Sequence, residues 1–375
     1  MFARAHRIPS LDGLRAASIL LVLFSHELGT RGFLAVHTVG PLIGLGNLGV
    51  RVFFVISGFL ITTLLLEEKR EFGSIHLGRF YVRRTMRIFP AFYVFVLALI
   101  ALDALGWIAL NPGDKLHALT YTSNYAADRS WYIGHTWSLA VEEQFYLLWP
   151  AILLLTGRRG FAIALGFIVL APVIRLAIWQ INPTEASGVG YRFETIADSL
   201  AIGCLLADAA ERLAAWRPYR ALLESPLFVL VPLTVLAASC LGDHPRINIF
   251  VGYSVMNVGF ALCVHWSLLY STGRIGRVLN HRAVVFVGVL SYSIYLWQQL
   301  FLNRYNPSLP GFPLNLIPVA GAALLSYYLI ERPALRSRPR VERALFGTRT
   351  RVPVPAAPVI EPLPAVPIER APEQL

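Results

Sequence analysis

Charge is what this sequence has least of. Only 15% of its 375 residues are charged, while 56% are hydrophobic; an ordinary soluble domain is roughly a quarter charged. The shortage excludes a soluble enzyme, because apolar runs of about twenty residues, each able to cross a roughly 30 Å hydrocarbon core, recur along the chain. Cysteine is scarce as well. Cys204, Cys240 and Cys263 lie in apolar stretches without CxxC or Cys/His spacing. That leaves them as small packing residues and argues against a disulfide framework or any metal site. No A-x-A-like cleavage site follows the basic Arg4 and Arg7, so the first apolar run is expected to stay as a helix and not to be removed as a signal peptide. No convincing internal repeat is visible, in contrast to many transporters.

What is present is an all-α pattern: a polytopic transmembrane helix bundle of about ten spans. They are expected at roughly 14–33, 47–66, 88–110, 137–156, 160–181, 194–209, 226–242, 249–271, 284–303 and 312–330. The formal net charge of +11 would suit nucleic acid, but the basic residues sit between apolar segments, where orientation in the bilayer explains them. With a cytoplasmic N-terminus, the inside loops hold Lys69, Arg70, Arg79, Arg83, Arg84, Arg87, Arg158, Arg159, Arg212, Arg217, Arg220, Arg274, Arg277 and Arg282. The outside loops hold isolated Arg31, Lys115, Arg129, Arg192, Arg246 and Arg304. Both termini are therefore expected in the cytoplasm, in a multi-pass protein of the inner (plasma) membrane, with no nucleic-acid partner. Residues 1–335 form the membrane domain. Residues 336–375, basic and then proline-rich, are expected to be a disordered cytoplasmic tail, too poor in buriable surface to offset their ordering entropy.

Charged groups inside spans are costly and point to function. Arg15 and His26 are eleven residues apart, about 1100° of rotation, so they share one helix face about 16 Å apart along the axis. Arg15 can serve that face or simply snorkel to the headgroups; His26 is either functional or a hydrogen-bonded packing histidine. Arg51, Asp103, Glu142, Arg175 and Asp198, with Gln298 and Gln299, all fall in the outer halves of their spans. Groups of mixed sign at similar depth form either a shared polar cavity or a set of helix-fixing ion pairs. Asp103 and Arg175 best fit the structural role. Glu142 and Glu143 are adjacent, about 100° apart on a helix, so only one can face a given point. His135 lies just outside the fourth span, where an interfacial loop role accounts for it.

Seven stretches in order, SLDGLRAASILLVLFSHE, GVRVFFVISGFLI, FYVRRTMRIFPAFY, HTWSLAVEEQFYLLWP, ADSLAIGCLLA, LSYSIYLWQQ and YYLIERPALR, resemble the acyltransferase 3 family of integral membrane acyltransferases. The resemblance covers about residues 1–335. It implies a ten-helix bundle that moves an acyl group, usually acetyl, from acyl-CoA to a hydroxyl of a carbohydrate or glycolipid. It also implies roles for Arg15 and His26, for Glu142, and for Arg83, Arg84 and Arg87. Two features differ from the family pattern. LWQQ stands where LWH is common, so Gln298 cannot do acid–base work but can hydrogen-bond a sugar hydroxyl. No SGNH-type domain follows, which suggests a stand-alone transferase.

From that reaction the residues take roles. A neutral alcohol attacks a thioester poorly, and histidine titrates near neutral pH, so His26 is the natural general base; a covalent acyl-histidine relay is the alternative. Glu142 can orient the imidazole. Arg83, Arg84 and Arg87 suit CoA phosphates through bidentate forks, or else express the positive-inside bias alone. Arg15 would guide the CoA end of a channel leading to His26. Arg51, Asp198 and Gln298 are candidates for the acceptor side. Acyl-CoA is expected as a co-substrate, with no permanently bound cofactor. The rival reading is a transporter or flippase of a lipid-linked saccharide; a sensor or scaffold fits the many buried charges least.

Overall fold

The computed structural model describes residues 8–35, 42, 44–181, 189–239 and 248–348, and among these every regular element is helical. Arg4, Arg7, Cys240, Arg246 and the proline-rich stretch from residue 349 lie outside the described residues. Helix α1 (Pro9–Glu27) opens on a proline, whose fixed φ and missing N–H suit a first turn. Helix α2 (Leu45–Phe72) stops where Gly73 adopts a left-handed φ of 76°. Helix α3 (Leu77–Ala104) starts where the His76 ring accepts the Arg79 N–H. Short α4 (Asp114–Leu119) and α5 (Trp131–Gly134) lead into α6 (Thr136–Thr156), followed by α7 (Gly160–Ile181) and α8 (Phe193–Ala215). Then come α9 (Arg217–Glu224), α10 (Leu230–Ser239), α11 (Tyr253–Leu269), α12 (Arg274–Leu279) and α13 (Arg282–Phe301). Helix α14 (Leu316–Ser326) runs through a π-helical stretch, Tyr327–Glu331, into α15 (Arg332–Phe346).

Helical stretches fall at all ten expected span positions, but fewer qualify as spans. Five are long and apolar enough to cross a membrane: Leu45–Phe72, Leu77–Ala104, Trp131–Ile181, Ile249–Leu269 and Arg282–Phe301. Arg217–Glu224 with Pro226–Ser239, bent by 71°, would make a sixth. The shortfall has a physical reason. Helix α1 carries Asp12, Arg15 and Glu27 within 19 residues, and α8 carries Glu194, Asp198, Asp208, Glu211 and Arg212 within 23. Helix α14 has only 11 residues.

The two polar helices are shielded by neighbours. Helix α2 packs between α1 and α8; α1 also meets α13, and α7 covers α8. In lipid, helices associate through close packing of small residues more than through hydrophobic expulsion. The α2–α8 crossing shows this: a Cβ at Gly58 would overlap the Leu200 carbonyl, and one at Gly203 the Val55 carbonyl. Phe54, Phe92, Phe95, Trp137, Phe145 and Trp149 fill the core between α2, α3 and α6.

One boundary differs from the expectation of disorder from residue 336. Helix α15 continues to Phe346 and docks on the start of α3. The Arg79 guanidinium donates to the Phe346 and Gly347 carbonyls, each at 2.8 Å, capping the helix end. Glu342 accepts from Arg79 and Arg83 at 3.4 and 3.1 Å. Composition alone missed this because the partners of those charges lie over 250 residues away in sequence.

Candidate active site

The last turns of α1 and α13 meet at the outer layer of the site. His26 Nδ1 lies 2.7 Å from the Gln298 amide oxygen. An amide oxygen only accepts, so Nδ1 is the donor in this contact, and in the neutral imidazole Nε2 then keeps its lone pair. That nitrogen faces the Gln299 amide nitrogen at 3.4 Å. Trp131 approaches His26 edge-on at 5.5 Å between ring centres. Its indole N–H donates to the Gln299 and Leu302 carbonyls at 3.1 Å, which fixes α5 against α13.

His135, buried at the junction of α5 and α6, is the residue sequence reasoning undervalued. Its backbone N–H donates to the Gln299 side-chain oxygen at 2.9 Å, and its ring Nδ1 touches the same oxygen. Its Nε2 faces the Leu296 carbonyl at 3.1 Å. Gln299 therefore joins two imidazoles, with its amide oxygen on His135 and its amide nitrogen on His26. The signal was the paired Gln298–Gln299 in LWQQ, which offers two amides one turn from the end of a span.

A second layer surrounds Arg15, three turns back along α1. Arg15 contacts Asp12 at 3.5 Å and lies within electrostatic reach of Arg87, Tyr146 and Arg84. The Arg84 guanidinium sits 4.6 Å over the Tyr146 ring. Glu142 belongs here: it accepts from the Ser57 hydroxyl at 2.7 Å and faces Arg84 and Arg15. The expectation that Glu142 orients His26 is corrected by this placement, since Gln298 holds the imidazole instead. Glu142 is seven residues along α6 from His135, about 10 Å deeper. Gln298, expected on the acceptor, is fully buried with its oxygen on His26.

The expected arginine triad separates. Arg83 is bound by Glu68 at 2.7 Å and Glu342 at 3.1 Å. Arg84 and Arg87 instead face the Arg15 layer. Arg338 on α15 joins the edge of this basin, where burial first and the charge of Arg83 second hold its guanidinium below its ordinary value.

The shared polar cavity resolves into a closed cluster and an interfacial pair. Arg175 and Asp198 form an ion pair at 3.0 Å with side-chain exposures of 0% and 1%. Arg51 donates to Ser199 at 3.0 Å and Asn257 at 3.3 Å, and lies 3.8 Å over the Tyr253 ring. Arg175 approaches the same ring at 5.3 Å. Arg51 and Asp198 are thus buried against protein groups, although neither Asp198 oxygen makes a hydrogen bond among the described residues. Asp103 pairs with Lys115 at 2.7 Å and accepts the Leu110 N–H, fastening the end of α3 to the following loop. Among the described residues no group of His, Cys, Asp and Glu is arranged to hold a metal ion.

Fold and site together define a multi-pass helical membrane protein with an amide-held histidine near one end of its bundle and an arginine basin behind it. The chain belongs to the family described as an acyltransferase domain, whose model matches residues 8–332. It is similar to a Bacillus subtilis (strain 168) protein named "Putative peptidoglycan O-acetyltransferase YrhL", at 28% identity over 373 aligned residues, covering 88% of this chain and 55% of the relative. It is also similar to "Peptidoglycan O-acetyltransferase OatA" of Listeria monocytogenes, at 27% over 366 residues, covering 87% and 55%. "Putative O-acetyltransferase SACOL0978" of Staphylococcus aureus is 29% identical over 331 residues, covering 79% and 51%. The chain thus spans about half the length of these relatives. No solved structure gives a significant match.

Proposed function

We propose that the protein is a plasma-membrane O-acyltransferase that moves an acetyl group from acyl-CoA to a hydroxyl of a carbohydrate or glycoconjugate. Ten membrane crossings with both termini in the cytoplasm are part of this reading, with α1 and α8 shielded by apolar helices and α14 completing the set at the edge of the bundle. The relatives named as O-acetyltransferases support the reaction type, and their peptidoglycan names support a carbohydrate acceptor. The observation that carries the mechanism is the His26–Gln298 contact, which leaves Nε2 as the unprotonated nitrogen.

His26 Nε2 takes the proton of the acceptor hydroxyl as its oxygen bonds to the thioester carbonyl carbon. The C–S bond then breaks, and the thiolate leaves with the proton that Nε2 returns. Throughout, Gln298 accepts from Nδ1–H, so the imidazole keeps one orientation and its cation has a partner. The donor's phosphates lie on Arg15, Arg84 and Arg87, whose mutual repulsion an anionic ligand relieves. Arg83, tied to Glu68 and Glu342, shapes that basin from its rim. The spacing of about 16 Å between Arg15 and His26 is one that an extended pantetheine arm bridges.

The test is transfer from labelled acetyl-CoA to a carbohydrate fraction by membranes holding wild type or His26→Ala at matched expression. Transfer by wild type and its loss in the variant are expected. Undiminished transfer by His26→Ala refutes the base assignment, and movement of a lipid-linked saccharide without any acetylation would make the protein a flippase.

A further inference from the structure

The proposed chemistry leaves the acceptor without a seat, and one recess beside His26 has the features of one. It lies between the turn after α1 and the loop after α13, holds about 190 Å³, and is lined by Thr30, Arg31, Asn303, Arg304, Asn306 and Asn315 among others. Arg304 links it to His26 through two neighbours. Arg304 donates to the carbonyl of Ser25, the neighbour of His26, at 3.2 Å. Its guanidinium also lies 5.0 Å over Trp131, the ring that packs edge-on against His26.

Polar groups lining the recess, and Glu27 behind Asn315, are not all satisfied by the protein itself. Asn315 is 1% exposed, and its side-chain oxygen has no hydrogen-bond partner among the described residues. Glu27 is 3% exposed; one oxygen takes Thr30 and Asn315, and the other has no partner among the described residues. Arg304 Nε is buried without a partner in the same sense. Buried polar groups are normally hydrogen-bonded, so orphans around one recess point to a ligand that supplies the missing donors and acceptors. Sugar hydroxyls supply both.

The charge balance narrows the ligand. Arg31 and Arg304 have no ion-pair partner among the described residues, where their hydrogen bonds go to backbone carbonyls. Glu27 is the opposing carboxylate, already holding two donors at one oxygen. Two guanidiniums against one carboxylate leave a net positive recess, and planar guanidinium is suited to a carboxylate. Tyr305, next in sequence to the lining residues Arg304 and Asn306, is 73% exposed and lies 5.4 Å from Trp131.

We propose that this recess is the acceptor subsite and seats one hexose ring carrying a carboxylate, read by Arg304 and Arg31, with a hydroxyl on Asn315, whose amide Glu27 holds from behind. This rests on the transferase reading for its purpose but not for its test. The full chain is placed in phosphatidylcholine nanodiscs, and saturation-transfer NMR titrates methyl glucuronide, methyl glucoside and glycerol phosphate. Wild type is expected to bind the glucuronide about tenfold more tightly than the glucoside, as one charge-assisted contact gives. Arg304→Gln should erase that preference while leaving glucoside binding unchanged, and Arg304→Lys should restore part of it. Equal binding of the two glycosides, or a preference that survives Arg304→Gln, overturns the proposal. Tighter binding of glycerol phosphate than of glucuronide overturns it in favour of a lipid headgroup site. If wild type shows the Arg304-dependent preference while transferring no acetyl group, the subsite stands and the transferase reading falls.

Discussion

The two layers along α1 and α6 treat charge in opposite ways. Around His26 the partners are neutral amides, Gln298 on Nδ1 and Gln299 beside Nε2, with the His135 imidazole behind Gln299. Around Arg15 the partners are acidic and basic side chains, with Asp12, Glu142 and Glu143 interleaved among Arg84 and Arg87. A carboxylate on His26 would hold the imidazole as a cation; an amide orients it and leaves it free to give up its proton. Three turns away, fixed cations suit a donor with several negative charges. The difference teaches that orientation without charge is what a base needs, whereas a phosphate site needs charge that stays.

The largest effect expected from disturbing this contrast lies outside both layers, in the closed cluster that holds α7 to α8. Arg175→Met leaves Asp198 buried and unpaired, and such changes cost about 3–5 kcal/mol. Loss of folded protein by size-exclusion is therefore expected from the single variant. Arg175→Met with Asp198→Leu should recover much of it, and a single variant as stable as wild type would return these residues to a hydrated cavity.

Next comes Gln298→Leu, which removes the acceptor from Nδ1 but keeps the volume. It should lower kcat about tenfold to a hundredfold, the scale of a lost orienting hydrogen bond, with donor KM unchanged. Gln298→Asn, with a shorter amide, should retain more activity than leucine. Arg84→Gln should do the reverse, raising donor KM about tenfold with little change in kcat, in line with one lost charge-assisted contact. Glu142→Gln separates the layers most cleanly: in the arginine layer it alters donor KM, whereas a pure kcat effect would place it with the histidine. The smallest effect is expected from Arg83→Gln, which loosens α15 and should change protease sensitivity near Phe346 more than either kinetic constant.

Much of this architecture was legible in the sequence. Apolar runs placed the helices, and helical arithmetic put Arg15 and His26 on one face, because both depend only on local spacing. The density of ions at similar depth suggested one shared cavity or a set of ion pairs, and depth alone could not tell which ions pair. Arg175 and Asp198 chose each other, and Arg51 chose Ser199, Asn257 and Tyr253. The His26–Gln298 contact spans 272 residues of sequence, so no local pattern encodes it. Sequence points Gln298 toward a sugar because a histidine is common there, but its side chain turns inward to α1. His135 has the sequence setting of a loop residue because α5 ends beside it; only the tertiary contact with Gln299 gives it weight. Helix α15 is hidden by a composition that resembles disorder until Arg79, Arg83 and Phe346 are seen together.

The central claim is that the histidine layer transfers the proton while the arginine layer holds the donor. Equilibrium binding of acetyl-CoA and steady-state acetyl transfer, measured on the same preparation of His26→Ala, test it together. Binding should stay within about twofold of wild type while transfer falls by at least about a hundredfold, the usual contribution of a general base. Parallel loss of binding and transfer, or the retention of both, would contradict the division.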